Sequence, residues 1–227
     1  MKIYGIIVAM DKEVALLKTK IDDVKIHQFC HIDFYEGTFA NNKVIFAISG
    51  IGKVNASVAT ILLIEHFHPD IVINTGIAGG YQKNLKSLDI VVANKVVYSD
   101  VDMTSLSAGS YKYGQLEGFE AYFKPNVELL KKQNYKQGTI LSGDQFVYDY
   151  DAIRYLVQTR FSDYDVVAFD MESAAIAQVC TLNQKKFIII RAISDIIGST
   201  NAFEYNYFST VAAKKVVDDV LELIKEG

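Results

Sequence analysis

Three carboxylates and one arginine stand where buried strands of this chain are predicted to end, and together they suggest acid–base chemistry. Glu13 follows one apolar run, Glu172 opens an apolar helical segment, and Arg191 and Asp195 close a further apolar run. A general acid and a general base each accelerate a reaction by roughly 10²–10⁴-fold, and a fixed charge can stabilise a charged transition state. The set therefore predicts a site in which different residues donate a proton, accept a proton and stabilise charge.

A purely structural explanation is also available for some of these carboxylates. Glu13 could be a charge in the first turn of a helix, where the helix dipole favours an anion. Asp195 could cap the N-terminus of the segment that follows it. Glu172 is harder to explain in this way, because a carboxylate beside an apolar helix is costly to bury without a partner. Both interpretations stay open for Glu13 and Asp195, and a functional role is favoured for Glu172.

The elements that must position these residues are strands alternating with helices. Apolar or alternating runs predict strands, and apolar residues spaced by three and four predict helices. Pro69 ends the second helix, because proline cannot continue one. The predicted strands are 2–9, 24–29, 31–38, 43–49, 71–74, 89–98, 139–142 and 187–193, and the predicted helices are 11–20, 51–67, 171–182 and 208–226.

This alternation predicts an α/β fold, and the consecutive strands within residues 23–49 make its sheet mixed. A chain of 227 residues without repeats or linkers is expected to form a single domain over 1–227. Ligands of such folds bind at the carboxyl ends of strands. Four places should therefore converge: Met10 with Glu13, a glycine-rich turn at 75–80, Asp170 with Met171 and Glu172, and Arg191 with Asp195.

Composition argues against several other classes of function. The formal net charge of −4 lacks the basic footprint of a nucleic-acid scaffold, and no apolar run is long enough to cross a membrane. Cys30 and Cys180 are far apart in sequence and are expected to be buried free thiols. With no recognisable signal peptide, this favours the cytoplasm. His66 and His68 lack accompanying cysteines or carboxylates, so no metal site is expected there.

The glycines do not form a nucleotide phosphate motif. Those at 76, 79 and 80 lack the G-x-G-x-x-G spacing, and those at 50 and 52 lack the first glycine and the Ser/Thr of a P-loop. They are predicted to allow tight turns or a close approach of backbone to a ligand. Phe146 follows a predicted strand and a glycine turn, so it could stack on a planar base.

The order of these segments resembles one enzyme family. The motifs AMDKEV at 9–14, SGIGKVNA at 49–56, INTG at 73–76, SGDQF at 142–146, DMESAAIA at 170–177 and RAISD at 191–195 are similar to those of 5′-methylthioadenosine/S-adenosylhomocysteine nucleosidases. The resemblance implies the nucleoside phosphorylase fold, a three-layer sandwich with a central mixed β-sheet flanked by helices. It also implies release of adenine from 5′-methylthioadenosine and S-adenosylhomocysteine, with 5′-deoxyadenosine as a further candidate, and neither metal nor other cofactor.

The resemblance further implies a role for each site residue. Glu13 activates the water, and Arg191 helps to hold it. Glu172 binds the ribose hydroxyls, and Asp195 donates a proton towards purine N7. The remaining substrate contacts that it implies are Met171 on the sugar, Phe146 and Val147 at the adenine, Ile77 beside the ribose, Ser194 without a more specific place, and Met10, Ile51 and Tyr205 around the 5′-alkylthio group.

The 5′ pocket is where this chain departs from the family pattern. The resemblance implies a homodimer in which the partner subunit completes this pocket with residues 103–113, between Met103 and Tyr113. Ile77 stands where many members carry serine, which removes a hydroxyl beside the ribose and Asp195. The loop at 104–115 looks longer than usual, and Glu117 replaces a common proline. The identity of the 5′ substituent is therefore the least specified part of the expectation.

Two alternative functions were weighed. A purine nucleoside phosphorylase of the same fold would use phosphate instead of water, and such enzymes hold phosphate with several arginines. This chain has only Arg154, Arg160 and Arg191, and the charge of Glu13 would repel phosphate, so hydrolysis is favoured. A catalytically impaired nucleoside-binding protein is expected to have lost one of the carboxylates, and all three are present.

Overall fold

Helices separate runs of one to three strands along the part of the chain that the structure describes. This computed structural model describes residues 1–82, 84–106, 110–130, 135–198 and 202–226, and the side chains of all of them except 202–207. The strands are β1 (Ile3–Val8), β2 (Asp22–Phe29), β3 (Ile32–Phe39), β4 (Asn42–Ile48), β5 (Ile71–Gly80), β6 (Ile90–Tyr98), β7 (Lys136–Ser142), β8 (Val166–Asp170) and β9 (Lys186–Ile196). The helices are α1 (Asp11–Lys18), α2 (Lys53–Phe67), α3 (Tyr150–Arg160), α4 (Ser173–Leu182) and α5 (Ala202–Glu226), with a short 3₁₀ helix at Val127–Leu130.

The strands form one mixed sheet in the order β2-β3-β4-β1-β5-β8-β7-β6-β9, and β9 also pairs with β5. β1 runs parallel to both β4 and β5, whereas β2, β3 and β4 are antiparallel to one another. Because β9 pairs with both β6 and β5, the second half of the sheet closes on itself. The predicted mixed sheet with flanking helices is confirmed, and its closure is a feature that the sequence pattern did not indicate.

Strand β1 shows why an almost wholly apolar run forms a central strand. Ile6 and Val8 pack into a core cluster with residues of α1 and α5. Ile7 points to the opposite face and packs with residues of α2 and α4. Gly5 allows helix α2 to lie close, since a Cβ there would be 2.5 Å from Leu63 Cδ2. Both faces of the strand are thus covered, which explains the lack of polar alternation.

The helices form layers on both sides of the sheet. Helices α2 and α4 share one buried cluster and α1 and α5 share another, while α3 packs on β6, β7 and β8 in a third. Helix α2 buries Ala56, Leu63 and Ile64 in this core, whereas Val54 and Val58, which also follow the spacing of three and four, are exposed. Burial of such side chains contributes roughly 25 cal/mol per Å² of apolar surface. The core therefore fixes the strand ends that carry the polar residues.

The predicted glycine-rich turn at 75–80 is wrong. Strand β5 continues through Gly80, pairing with β9 as far as Ile196 and with the end of β8. Close packing explains the small residues, because a Cβ at Gly80 would lie 2.9 Å from both Ile193 Cγ2 and Ile196 Cδ1. Pairing on both edges overrides the low strand propensity of glycine. The segment is therefore a rigid strand beside the site.

The sequence did not predict helix α3 or strand β8, and it predicted the wrong burial for Cys30. Helix α3 was missed although Asp149 caps it, accepting hydrogen bonds from the N–H groups of Asp151 and Ala152 at 3.0 and 3.1 Å. Strand β8 was also not predicted, although its first four residues are apolar. Cys180 is a buried free thiol as expected, but Cys30 is exposed, at a β2–β3 turn where its φ is 55°. No helix in the described ranges is long and apolar enough to span a membrane.

Candidate active site

One open cleft gathers the residues that the sequence singled out. Its empty volume is about 730 Å³ including the solvent at its mouth, within the usual range for small-molecule sites. The side chain of Tyr205 lies outside the described residues. All the other predicted site residues line the cleft, namely Met10, Glu13, Ile51, Ile77, Phe146, Val147, Met171, Glu172, Arg191, Ser194 and Asp195.

The strand directions explain this convergence. β1 leads directly into α1, whose first turn carries Glu13. β9 runs parallel to β5 and places Arg191 opposite Gly76. β8 runs antiparallel to β5, with Phe169 opposite Gly79, so its last residue, Asp170, returns towards the same level. The ends of β1 and β8 and the middle of β9, which are far apart in sequence, therefore meet beside the middle of β5.

Glu13 is a fully buried carboxylate in this cleft. Its Oε2 accepts a hydrogen bond from the Met10 N–H at 3.2 Å, whereas Oε1 is buried without a hydrogen-bond partner among the described residues. Burial raises the pKa of Glu13 from 4.5 to about 7, although the Met10 N–H and the Arg191 charge oppose that rise. Glu13 does occupy a helix first turn, but its pKa near neutrality also suits it to exchange a proton.

Gly76 keeps the free side of this carboxylate accessible. A Cβ at that position would lie 3.2 Å from Glu13 Oε1, tighter than an ordinary contact. The glycine lines the cleft together with Thr75 and Ile77. The sequence predicts that these glycines allow close approach to the backbone. At Gly76 the missing side chain leaves space beside the Glu13 carboxylate.

Glu172 is also buried, and it lies immediately before helix α4 rather than inside it. Its Oε1 accepts a hydrogen bond from the Gly52 N–H at 2.9 Å, just before helix α2. Burial and the neighbouring charge of Asp170 raise the pKa of Glu172, while Arg191 and the Gly52 N–H lower it. The N-terminus of α2 therefore supplies part of the compensation that this buried carboxylate requires.

Arg191 is paired with a carboxylate whose function was not predicted. Its Nη2 lies 2.8 Å from Asp170 Oδ2, and both side chains are about 1% exposed. Asp170 Oδ1 in turn accepts hydrogen bonds from the Ser173 N–H at 3.2 Å and from the Ser173 hydroxyl at 2.9 Å. The sequence placed Asp170 at the convergence point but could not show that it neutralises Arg191.

Asp195 is a strand residue. The alternative in which it caps a following helix is wrong, because β9 continues through Ile196 and α5 begins only at Ala202. The Ser194 hydroxyl donates a hydrogen bond to Asp195 Oδ1 at 2.6 Å. Ser194 is buried and Asp195 is half-buried, so the serine orients a carboxylate that faces the cleft.

The mouth of the cleft is apolar and open. Phe146 is 62% exposed and Ile51 is 57% exposed, and both line the cleft. The loop that carries Phe146 is tied to helix α2, since Asp144 Oδ1 accepts a hydrogen bond from the Lys53 N–H at 2.8 Å. Cleft residues that the sequence did not assign a role are Ala9, Thr75, Ala78, Gly79, Gln145, Phe169 and Asp170, most of them neighbours of predicted ones.

The charges of the cleft favour acid–base chemistry over anion binding. Among the described lining residues Arg191 is the single cation, and Asp170 already neutralises it. Arg154 lies elsewhere, paired with Asp151 on the exposed face of α3. No group of three or more His, Cys, Asp or Glu residues within the described ranges is arranged to hold a metal ion. The lining instead combines buried carboxylates with apolar surface.

A mixed, partly closed sheet with a carboxylate-rich cleft at its strand ends places this chain in the Phosphorylase superfamily, whose family model matches residues 3–225. A curated relative from Geobacillus sp. (strain WCH70) is 41% identical over 230 residues, covering 97% of each chain, and one from Bacillus subtilis (strain 168) is 37% identical with the same coverage. Both are 5′-methylthioadenosine/S-adenosylhomocysteine nucleosidases, and this chain belongs to that family.

Solved structures agree with this assignment. The nucleosidase of Neisseria meningitidis, in complex with methylthio-immucillin-A, has a TM-score of 0.93 and 36% identity, covering 100% of both chains. The nucleosidase of Colwellia psychrerythraea 34H, in complex with adenine, has a TM-score of 0.90 and 37% identity, covering 98% of this chain and 94% of that one. The expected fold and family are thereby confirmed.

Proposed function

We propose that this protein hydrolyses the N-glycosidic bond of 5′-methylthioadenosine and S-adenosylhomocysteine, releasing adenine and the 5′-substituted ribose. The observation that carries the proposal is the placement of Glu13, Glu172 and Asp195 in one cleft with a single, already neutralised arginine. The family relatives bear the names of these two substrates. A cytoplasmic location, in keeping with two free cysteines, is part of the proposal.

Glu13 is the general base of the proposed reaction, and Arg191 helps to hold the water. As the water oxygen attacks C1′ of the ribose, the C1′–N9 bond breaks and Glu13 takes a proton from the water. A pKa of about 7 suits this role, because the carboxylate is ionised in a useful fraction of molecules and still basic enough to accept a proton. Glu172 binds the ribose hydroxyls, with Met171 against the sugar.

Asp195 is the general acid, and it acts at the other end of the bond. It gives a proton to purine N7, so that adenine leaves as a neutral molecule rather than as an anion. The Ser194 hydroxyl at 2.6 Å orients the Asp195 carboxyl for this transfer. Phe146 stacks on the adenine ring, and the backbone of Val147 contacts its edge.

The 5′ substituent lies in the apolar part of the cleft, against Met10 and Ile51. Tyr205 is assigned to the same pocket from the family resemblance alone. Ile77 adds an apolar contact where many family members have a hydroxyl. The cleft lining is compatible with an alkylthio group because these side chains offer apolar area and no charge to that end of the substrate.

The experiment that tests this function measures adenine release from 5′-methylthioadenosine with and without phosphate, with chromatographic identification of the sugar product. Equal rates in the two buffers and free methylthioribose as product are expected. A phosphate requirement with a sugar 1-phosphate product would establish a phosphorylase instead. Absence of adenine in both buffers would leave a nucleoside-binding protein, and isothermal titration with 5′-methylthioadenosine would then measure that binding.

A homodimer completes the proposal, with a second copy of this chain covering the mouth of the cleft. Helix α2 and the turn before it present Ile51, Val54 and Val58 to solvent at 57%, 74% and 40% exposure, beside that mouth. Leu106, in the segment implied to reach the partner's 5′ pocket, is 50% exposed, and residues 107–109 of that segment lie outside the described part. Contiguous exposed apolar side chains are typical of an interface.

Sedimentation velocity tests this assembly. The wild-type protein is expected to sediment as a dimer at micromolar concentration. Val54→Asp should give a monomer with a raised KM for 5′-methylthioadenosine, because it places a charge in the interface. Leu182→Asp, an equally exposed position at the end of α4 (64% exposed), is the matched control and should remain dimeric. A monomeric wild type, or a Val54→Asp dimer, would contradict the proposed interface.

A further inference from the structure

Asn74 is a buried polar residue behind the cleft. It is 1% exposed and sits in β5, opposite Ile7 of β1 and Ile189 of β9. Its Nδ2 donates a hydrogen bond to the Ile7 carbonyl at 3.0 Å, and its Oδ1 accepts one from Arg191 Nη2. A buried amide is tolerated only when such bonds are made, so its place in an otherwise apolar strand needs an explanation.

The Arg191 guanidinium makes its hydrogen bonds with Asn74, the adjacent backbone and Asp170. Its Nη1 donates to the carbonyls of Asn74 and Ile190, at 3.2 and 3.1 Å. Its Nη2 contacts Asn74 Oδ1 and lies 2.8 Å from Asp170 Oδ2. Nε is buried and has no partner among the described residues. Since a guanidinium carries five N–H donors, this arrangement fixes the group and leaves one donor unused.

The network also joins the two residues that the proposed reaction requires at its water. Ile7, which accepts from Asn74, belongs to the strand that leads to Glu13. Arg191, which donates to Asn74, lies on the other neighbour of β5. Asn74 therefore bridges the strand of the base and the strand of the cation. An apolar side chain would fill the space but could not orient the guanidinium.

We propose that Asn74 is a positioning residue of this enzyme: with Asp170, it fixes the Arg191 guanidinium in the lining of the cleft. The inference rests on the proposed function. Asn74 does not line the cleft and touches no reacting atom. It acts through Arg191, which does line the cleft, and so its loss should affect turnover more than substrate binding.

The charges around Glu13 provide a reporter of this role. Arg191 from β9 and Lys12 from α1 lower the pKa of Glu13, and Glu172 from the start of α4 raises it, against a larger contribution from burial. Loss of the Asn74 amide leaves Asp170 as the only side chain that restrains the guanidinium. The Arg191 charge then moves away from Glu13 on average, and the pKa of Glu13 should rise.

A double-mutant cycle between Asn74 and Arg191 tests the proposal. Asn74→Ala should lower kcat for 5′-methylthioadenosine by on the order of 10- to 100-fold, the size expected for losing a hydrogen bond to a charged group, with little change in KM. In an Arg191→Gln background the same substitution should change kcat less than about twofold. Equal losses in both backgrounds, or a loss confined to KM, would overturn the positioning role.

A matched variant and a second readout complete the test. Thr60→Val removes a fully buried hydroxyl that bonds only its own helix, at the Ala56 carbonyl, and should leave kcat and its pH dependence unchanged. Thermal melting checks that each variant folds, with Asn74→Ser in place of Asn74→Ala if the latter does not.

The titration of Glu13, followed by NMR of ¹³C-labelled glutamate, needs no turnover. Its midpoint should be higher in Asn74→Ala than in the wild type, and an unchanged midpoint would overturn the inference. If the wild-type protein released no adenine, the proposed function would fail. This titration would then still decide whether Asn74 holds Arg191 in place.

Discussion

The inner end of the cleft and its mouth are built in different ways. At the inner end, Glu13 and Arg191 are buried; the Met10 N–H donates to Glu13, and Arg191 donates to the Ile190 carbonyl. At the mouth, Phe146 and Ile51 are more than half exposed. The groups proposed for the chemistry are thus organised before substrate arrives, whereas the groups proposed for the base and the 5′ substituent still have apolar surface to bury.

This contrast separates two kinds of effect. Changes at the inner end should alter catalytic turnover or the free energy of unfolding, because those groups are buried and already held in place by the fold. Changes at the mouth should alter substrate affinity, because those groups gain their contacts only when substrate or a second subunit covers them.

The largest effect is expected for Asp195→Asn. An amide cannot donate a proton of suitable acidity, so kcat should fall by roughly 10²–10⁴-fold with little change in KM. The Ser194 hydroxyl can still donate to the amide oxygen, so the fold should be retained. Steady-state adenine release and thermal melting measure the two quantities. Asp163→Asn, at an exposed ion pair with Lys112, is the control, and full activity of Asp195→Asn would remove this residue from the mechanism.

The next effect concerns stability at the inner end. The pKa of Glu13 is about 7 in the folded protein against 4.5 as its ordinary value, so folding favours the protonated form. The stability that Glu13 contributes is therefore complete below about pH 4.5 and is lost as pH rises through about 7. The difference amounts to roughly 3 kcal/mol of unfolding free energy at pH 8.

Glu13→Gln should remove this pH dependence. The variant should be more stable than the wild type at pH 8 and similar to it at pH 4.5, while its kcat is strongly reduced because the base is gone. Urea denaturation at the two pH values measures the first result. A Glu13→Gln protein that is no more stable than the wild type at pH 8 would show that the buried carboxylate is not held in a strained state.

A smaller effect is expected at the mouth for Phe146→Ala. Stacking of a base on an aromatic ring contributes about 1–3 kcal/mol, so KM for 5′-methylthioadenosine should rise roughly 10-fold or more while kcat changes little. Because Phe146 is 62% exposed, the unfolding free energy should hardly change. Tyr148→Ala, at 77% exposure two residues away and outside the cleft lining, is the matched control. A fall in kcat with unchanged KM would contradict this prediction, because it would mean that Phe146 acts in turnover, as the residues at the inner end of the cleft do.

The same division shows what the sequence could reveal. Residues that follow apolar strands, such as Glu13 and Asp195, could be found because strand ends meet at one edge of a sheet. The ion pair between Asp170 and Arg191 could not be predicted in this way, because the two residues meet only through the antiparallel placement of β8 on β5. Helix α3 was not predicted although Ile153 and Val157 recur at helical spacing and Asp149 precedes them as an N-cap. The glycines of β5 favour a turn when only the local sequence is considered. Their close packing against β9, a contact between residues far apart in sequence, keeps them in a strand.

The smallest effect is expected for the two remaining arginines. Arg154 lies 3.7 Å from Asp151 at an exposed ion pair on α3, and the Arg160 guanidinium lies 5.3 Å from the centre of the Tyr113 ring. Neither lines the cleft. Arg154→Ala and Arg160→Ala should therefore leave kcat and KM within about twofold of the wild type, as for most surface substitutions.

Assays of the two arginine variants and the wild type with and without phosphate distinguish hydrolysis from phosphorolysis. If the reaction is hydrolysis at the inner end, no arginine outside the cleft has an anion to hold, and both variants should be as indifferent to phosphate as the wild type. A large, phosphate-dependent loss in either variant would mean that an anion is held away from Glu13 and Arg191. That result would revive the phosphorylase alternative, and it would place part of the chemistry on the α3 side of the molecule.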